Sequence, residues 1–552
     1  MRAHLLSSFG NQFQKIDPRQ RTVPTRDFQK SRISVTLKAM IPLSPECRQT
    51  PSPRHTRKMC RLALAAWLVI AALCILRFFF LKADFPNYSP WQVDQAKFAD
   101  EGWWANAAVM NHLLGHWNVA GDYNPAAALP VWSILLSAIF HFTGVSLAAA
   151  RAVNVALSIA TLAIVFLLVR RYANNRSISS ATLAVLLLAA SPFAFAFSRL
   201  AILETLVIFE FCLGMLLASF ATVRRIWPLA ALSLLIGVMI LTKTTAAMLL
   251  PAIFWLVWNT MGRKPAALLR AALTVVVIPF ALVKAHAAFV TALGYGVDYH
   301  YFFAMNDMPD IDWKQAGSTL AALLQNCLWI DRILYPLALL ILPLSLTCMR
   351  KLWSNPLFTA AWLAFAAQAS FIFSRQDDYA PRYFLVMLIP LVLIAVLAFD
   401  EVAPHSKKAA AALLLAFAVS LAADAAMIVH FLTHRQYEFQ NAASSIRQIV
   451  TGDHARNPLI LGISGSQISL MTGIPSINDG YSSQDRAQKI ALYRPGWYLV
   501  WQTIAPENST LLSPFQLEKV ASYTVFDNED RNKLILYKMA PRAPSNAAIE
   551  QH

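Results

Sequence analysis

Charge is scarce in this 552-residue chain: 14% of its residues are Asp, Glu, Lys or Arg, against 57% hydrophobic. The mean hydropathy of +0.48 excludes an ordinary soluble globular protein, and the length excludes a single membrane anchor. Cysteine is rare too. Cys47, Cys60, Cys74, Cys212, Cys327 and Cys348 form no CxxC and no paired spacing, so neither a disulfide framework nor a zinc site is indicated. A phosphate-binding glycine loop is missing, because no GK[ST] follows Gly462 and Gly465. No internal repeat is visible. Acidic residues are the minority, 30 against 47 basic ones, for a net charge of +17. In a soluble chain that balance would suggest nucleic acid; here much of it sits in short loops between apolar runs, where it fixes orientation and argues against nucleic acid as a partner.

What remains is a polytopic membrane protein. Apolar runs able to cross about 30 Å of hydrocarbon begin near Leu62, Ala152, Ser179, Thr205, Trp227, Thr244, Leu268, Ile333, Leu357, Phe384 and Ala409, about eleven spans in all. Residues 129–145 are equally apolar, and charge decides their role. If they lie in the interface, Arg170-Arg171 with Arg176, Arg224-Arg225, Arg263-Lys264, Arg350-Lys351 and Lys407-Lys408 all fall on the side of the basic N-terminus, which is then cytoplasmic. If they cross, all five clusters face outward. An interfacial or re-entrant helix is therefore expected, which suits Pro130 near its start and His141 and Thr143 near its end. The outer side receives residues 82–151, 198–204, 292–331 and 375–382, a short turn at Lys243, and the C-terminal region.

Three regions follow. Residues 1–60 are basic, polar and without periodicity, the mark of a disordered tail, with Met40 or Met59 as alternative starts. Residues 61–433 form the membrane domain. Residues 434–552 read as a small soluble α/β domain, with strands expected at 459–463, 497–501, 522–526 and 534–537, the last two as a hairpin.

Asp100-Glu101-Gly102-Trp103-Trp104 follows the first span, and Trp103, Ala107, Met110, Leu114 and Trp117 recur at helical spacing. That pattern predicts a helix lying flat on the membrane, with a carboxylate at its start. Asp100 is then an acid over the interface, the helix N-cap, or both. Glu204 precedes a span and also suits a positive helix end. Lys243, between two apolar runs, is costly unless it snorkels or meets an anion such as a lipid phosphate. Arg382-Tyr383 opens a span after Arg375-Gln376-Asp377-Asp378-Tyr379; its guanidinium either closes a surface salt bridge or grips a phosphate through two hydrogen bonds. Arg199 either does likewise or pairs with Glu204. Glu210, Arg77, Lys284 and Asp424 lie in or near apolar spans, with Arg77 and Lys284 near enough to the ends to snorkel. His300, with Asp307, Asp310 and Asp312 after it, offers divalent-metal ligands at loose spacing; no other cofactor is indicated.

The chain resembles the GT-C glycosyltransferases that use polyprenyl-phosphate sugars, in particular the bacterial relatives of protein O-mannosyltransferases and the aminoarabinose transferases of lipid A. The similarity runs over residues 62–398. It is carried by Asp100-Glu101 with Ala105, Ala108, Met110 and Gly115-His116-Trp117, by Ala149-Ala150-Arg151, by Ser198-Arg199-Leu200-Ala201-Ile202-Leu203-Glu204, by Leu241-Thr242-Lys243, and by Pro381-Arg382-Tyr383-Phe384. The resemblance implies a GT-C fold with interfacial helices in the first outer loop. It implies Asp100 as the catalytic base, assisted by Glu204. Lys243 and Arg382 hold the lipid phosphate, with Arg199 and Tyr383 beside them, and Glu101, Trp104 and Tyr123 line the donor and acceptor pocket. Relatives often carry Lys-Pro-Pro before the interfacial helix where this chain has Tyr123-Asn124-Pro125-Ala126, which removes the family's lysine contact and puts metal binding there in doubt. The expected reaction is an inverting transfer to a hydroxyl or phosphate of lipid A, another envelope glycan or a protein. The setting is the bacterial inner membrane, with the site and C-terminal domain periplasmic and membrane lipids around it. The rival from another class is a flippase for a lipid-linked sugar. It would favour midplane polar sites and inverted repeats, and the candidate charges sit at span ends instead.

Overall fold

The computed structural model describes residues 53–87, 95–173, 178–222, 227–306, 317–318, 320–321, 350–374, 380–527 and 529–542. Most of the tail, the span expected near Ile333, the loop 375–379, and Asp307, Asp310 and Asp312 lie outside the described residues. Apart from residues 53–57 of α1, the elements below belong to the unit Lys58–His552. They begin with α1 (Pro53–Leu76), α2 (Asp100–Leu114), α3 (Val131–Thr143), α4 (Leu147–Tyr172), α5 (Ile178–Ala190), α6 (Pro192–Phe197), α7 (Leu203–Ser219), α8 (Trp227–Thr242) and α9 (Leu250–Thr260).

Among the described residues, five helical stretches are long and apolar enough to cross a membrane: Leu147–Tyr172, Pro265–Ala292, Pro356–Phe373, Pro381–Val402 and Lys407–Gly452. Their burial separates two roles. The most apolar window of Pro381–Val402 is 94% buried, so a helix that is hydrophobic all round is wrapped by protein on every side. The corresponding window of Lys407–Gly452 is 22% buried and leaves Leu414, Leu415, Val419 and Val429 on the exterior, where lipid is their solvent. At 1.5 Å per residue, α3 is only about 20 Å long, short of the hydrocarbon thickness.

Three chain breaks carry the charged residues of interest. Ser191 ends α5, and its Oγ accepts from Ala194 N (3.2 Å) while Pro192 opens α6, so Ser-Pro stops one helix and starts another. Past α6 the chain leaves helical geometry, and Asn154 of α4 donates to the freed carbonyls of Leu200 (2.6 Å) and Ile202 (2.8 Å). That bend delivers Glu204 to the first turn of α7. Lys243 is extended (φ −158°, ψ 125°) between α8 and a 3₁₀ turn, Thr244–Leu249, that leads into α9. Pro381 opens a second 3₁₀ turn, Pro381–Phe384, that puts Arg382 at the head of the buried helix Leu385–Val402.

The C-terminal layer is a five-stranded sheet in the order β2-β1-β3-β5-β4, formed by β1 (Ile460–Leu461), β2 (Ser476–Ile477), β3 (Trp497–Trp501), β4 (Phe515–Thr524) and β5 (Lys533–Pro541). β1 pairs in parallel with β2 and β3, and β5 is antiparallel to β3 and β4. The third expected strand begins earlier than its apolar signal, because β4 alternates on a half-exposed face and pairs with β5 down to Phe515. β2 escaped detection: two residues hold no periodicity.

α2 packs between α3 and the helix Gly465–Thr472 of the C-terminal layer, with Ala105, Ala107, Ala108, Val109 and Met110 buried, so protein covers much of the apolar face expected against the membrane. One expectation is corrected. Arg77 does not snorkel. It is 1% exposed and donates to Ser198 Oγ (3.3 Å) and to the carbonyl of Ala189 (2.9 Å), at the chain end that the α5–α6 break left open. Asp84, in the stretch after α1, fastens that stretch to the helix Glu438–Gly452 by accepting from Phe439 N (2.7 Å) and Gln440 N (3.2 Å).

Candidate functional site

The start of α2 and the breaks at Glu204, Lys243 and Arg382 converge. Arg382 Nε lies 3.0 Å from Asp100 Oδ2 and 3.6 Å from Glu204 Oε1, and Lys243 Nζ lies 2.5 Å from the same Glu204 oxygen. Both carboxylates are 2% exposed and Arg382 is 6% exposed. Taking such groups out of water costs several kcal/mol each unless they are paired, so two carboxylates set against two cations is the arrangement under which the cluster can stay buried. The Tyr383 ring lies under both cations, 4.8 Å from Lys243 Nζ and 4.9 Å from the Arg382 guanidinium. A cavity opens beside them, lined by Glu204, Lys243, Thr245, Gln368 and Tyr383.

Asp100 is the first residue of α2, and Ala99 is the N-cap, so the Asp100 side chain faces Arg382 and is not a cap. Glu101 turns elsewhere. Successive residues on a helix diverge by about 100°, and Glu101 meets Arg151 through two parallel bonds (2.8 and 2.6 Å) and accepts from Ala201 N (2.7 Å) and Gln467 Nε2 (3.3 Å). It is fully buried, so it belongs to the frame of the site and not to a donor or acceptor pocket.

Arg199 is likewise corrected. Its Nη2 donates to the carbonyls of Phe79 (2.6 Å) and Phe80 (3.1 Å), and its guanidinium sits between the rings of Phe195 and Phe431. It pairs neither with Glu204 nor with the Asp100 cluster, because the unwound turn after α1 offers carbonyls that need a donor. Glu210 accepts from Thr242 Oγ1 (2.9 Å), and Asp424 accepts from Ser420 (3.2 Å).

Trp104 is half-buried with its ring edge against Phe302 (6.4 Å). Tyr123 packs against Trp103 (5.9 Å) and Tyr481 (5.4 Å) and helps line a second cavity with Asn106, Asp122, Ser466 and Asn478. Burial pushes the Tyr123 phenol up, and the Asp100 charge adds to the effect. In that second cavity Asn106 Oδ1 and Ser466 Oγ are buried without a hydrogen-bond partner. At its rim Asp122 is paired with Lys489 of the C-terminal layer at 2.9 Å. Lys489, Ser466 and Gln467 carried no sequence signal: an isolated lysine, serine or glutamine in a soluble-looking segment matches no motif. His300 is exposed and meets the Tyr299 ring edge to face (5.5 Å). Among the described residues no group of three or more His, Cys, Asp and Glu side chains is placed to hold a metal.

Residues 125–288 match the model of the dolichyl-phosphate-mannose-protein mannosyltransferase family. No curated protein matches the chain. Among solved structures, ArnT from Cupriavidus metallidurans in the apo state superposes with a TM-score of 0.60 at 15% identity, over 86% of this chain and 98% of that one. The same protein bound to undecaprenyl phosphate gives 0.58 at 15% identity over the same shares, 86% and 98%. At that identity the likeness is one of fold. The chain therefore shares the fold of ArnT, and its residues 125–288 are similar to the dolichyl-phosphate-mannose-protein mannosyltransferase family, which supports membership of the GT-C superfamily.

Proposed function

We propose that the protein moves a sugar from an undecaprenyl-type polyprenyl phosphate to a hydroxyl or phosphate of an acceptor at the periplasmic face of the bacterial inner membrane: lipid A, another envelope glycan or a protein. The observation that carries this is the buried Asp100–Arg382–Glu204–Lys243 network next to a cavity. A polyprenyl phosphate is already a good leaving group, so the chemistry asks for a base on the acceptor and cations on the departing phosphate. The network holds the candidate base Asp100 and two cations, Lys243 and Arg382, in one set of ion pairs. The fold relative bound to undecaprenyl phosphate supports a lipid phosphate as the leaving group.

In the donor-free state Lys243 and Arg382 neutralise Glu204 and Asp100. When the donor arrives, its phosphate oxygens take the two cations as partners, and Asp100 is released from Arg382. The acceptor oxygen then bonds to the anomeric carbon as the carbon–oxygen bond to phosphate breaks. The bonding electrons leave with the polyprenyl phosphate, and the acceptor proton passes to Asp100. Glu204 keeps Lys243 and Arg382 oriented throughout. A single displacement inverts the anomeric carbon.

The test is transfer from a panel of radiolabelled undecaprenyl-phosphate sugars to membrane acceptors, in vesicles containing the purified protein. Expected is a labelled acceptor whose anomeric configuration is opposite to the donor's. A retained configuration contradicts the single displacement, and movement of the lipid-linked sugar across the bilayer without transfer replaces the enzyme by a flippase.

A further inference from the structure

The sequence separates Gln467 from Gly102 by 365 positions, yet the two meet at the start of α2. Gln467 is 1% exposed, and both ends of its amide are engaged there: Oε1 accepts from Gly102 N (2.7 Å) and Nε2 donates to Glu101 Oε2 (3.3 Å). The Gly102 N–H is one of the first-turn donors that no α-helix satisfies internally. The usual remedy is absent, since the N-cap is Ala99 and no side chain caps the helix locally. A residue of the C-terminal layer supplies the cap instead.

The contact is close and rigid. A Cβ at Gly102 would lie 2.2 Å from the backbone nitrogen of Gln467, so only glycine lets the two helices meet backbone to backbone. The second bond extends the connection. Glu101 also holds Arg151 of α4 and accepts from Ala201 N, three residues ahead of Glu204 in the bend that delivers it to α7. Arg151 in turn donates to the carbonyls of Leu81 (2.7 Å) and Ala83 (2.6 Å), beyond α1. One buried set of bonds therefore runs from Gln467 to the residue beside Asp100, to the segment carrying Glu204, and to the chain leaving α1.

We infer that Gln467 is a positioning residue for glycosyl transfer: from the C-terminal layer it caps α2 and fixes Asp100 against Arg382 through Gly102 and Glu101. The layer is then part of the catalytic centre and not an appended acceptor-binding module. The inference rests on Asp100 as the base. Gln467 itself touches neither Asp100 nor the cavity beside Lys243. Its loss leaves the cations that grip the donor phosphate in place and loosens the base, and an ångström of misplacement is enough to cost on the order of a hundredfold in rate.

The experiment uses the full chain in vesicles, with a radiolabelled undecaprenyl-phosphate sugar that the wild type accepts, and measures kcat and donor KM for Gln467→Leu, Gln467→Glu and Asp100→Asn. Gln467→Leu is expected to lower kcat ten- to a hundredfold with donor KM unchanged. Gln467→Glu keeps the acceptor for Gly102 N–H and loses the donor to Glu101. Its kcat should fall at neutral pH and recover toward wild type as pH is lowered, when the introduced carboxyl takes up a proton and donates to Glu101 as the amide did. A wild-type kcat in Gln467→Leu, a pH profile of Gln467→Glu parallel to the wild type, or loss of folded protein in both variants overturns the inference, the last because it marks a residue needed only for folding. Activity surviving in Asp100→Asn sinks the reading of the base instead, so the two failures are told apart.

Discussion

Replacing Arg382 with glutamine removes the cation that Asp100 faces at 3.0 Å, and the stability cost follows from what is left behind. At an effective dielectric of about 20 the gross attraction across that distance is about 5 kcal/mol, and breaking a buried pair typically costs about 3–5 kcal/mol, because the surviving charge stays buried without its partner. Glu204 is less affected, since Lys243 remains at 2.5 Å while Arg382 stood at 3.6 Å. Asp100→Asn added to Arg382→Gln removes the stranded charge, and substituting both members of a buried pair by neutral groups is close to neutral. The single Arg382→Gln variant should therefore unfold several degrees below wild type, and the double variant should recover most of the difference while remaining inactive. Thermal unfolding of purified protein in detergent, run on wild type, both single variants and the double, gives the coupling directly. A single variant as stable as wild type, or a double variant no better than Arg382→Gln, refutes a buried Asp100–Arg382 pair.

Lys243→Met should raise the donor KM by roughly ten- to a hundredfold, the loss of one charge-assisted hydrogen bond to phosphate, and donor titration in the transfer assay measures it. Gly102→Ala drives a Cβ to 2.2 Å from backbone that no rotamer change can clear, so lower thermal stability and faster proteolysis of the C-terminal layer are expected. Burial pushes the Asp84 carboxyl up to about 7, against the Phe439 and Gln440 N–H groups and Arg151, which act the other way. The folded protein thus holds a proton that the unfolded chain releases above about pH 4. That contribution is complete at low pH and is lost as pH rises through about 7. Wild-type thermal stability should fall between about pH 4 and 7 more steeply than that of Asp84→Asn; parallel slopes would rule this out.

Most of the cluster was legible because its members interrupt apolar runs. Lys243 divides α8 from α9, Glu204 opens α7, Arg382 heads the buried helix, and Asp100 begins α2. In each case the break in hydrophobicity and the break in the helix coincide. Partners were less legible. Arg199 lies five residues from Glu204 in sequence, but the bend held by Asn154 separates them, and the carbonyls of Phe79 and Phe80 take the guanidinium. Asp100 and Glu101 look like a pair, yet helical rotation sends one to Arg382 and the other to Arg151. The partners of α2 were hidden for a related reason: its apolar positions face α3 and the C-terminal layer, and periodicity states that a face is buried without saying by what. Gln467 and the two-residue β2 were out of reach, because a capping contact across 365 positions and a strand only one period long leave no local pattern.

The most direct test is donor turnover by wild type and Asp100→Asn in the same vesicles, with undecaprenyl phosphate binding to each measured separately. Asp100 as the base predicts equal lipid binding and at least a hundredfold lower transfer in the variant. Transfer at the wild-type rate by Asp100→Asn would contradict it.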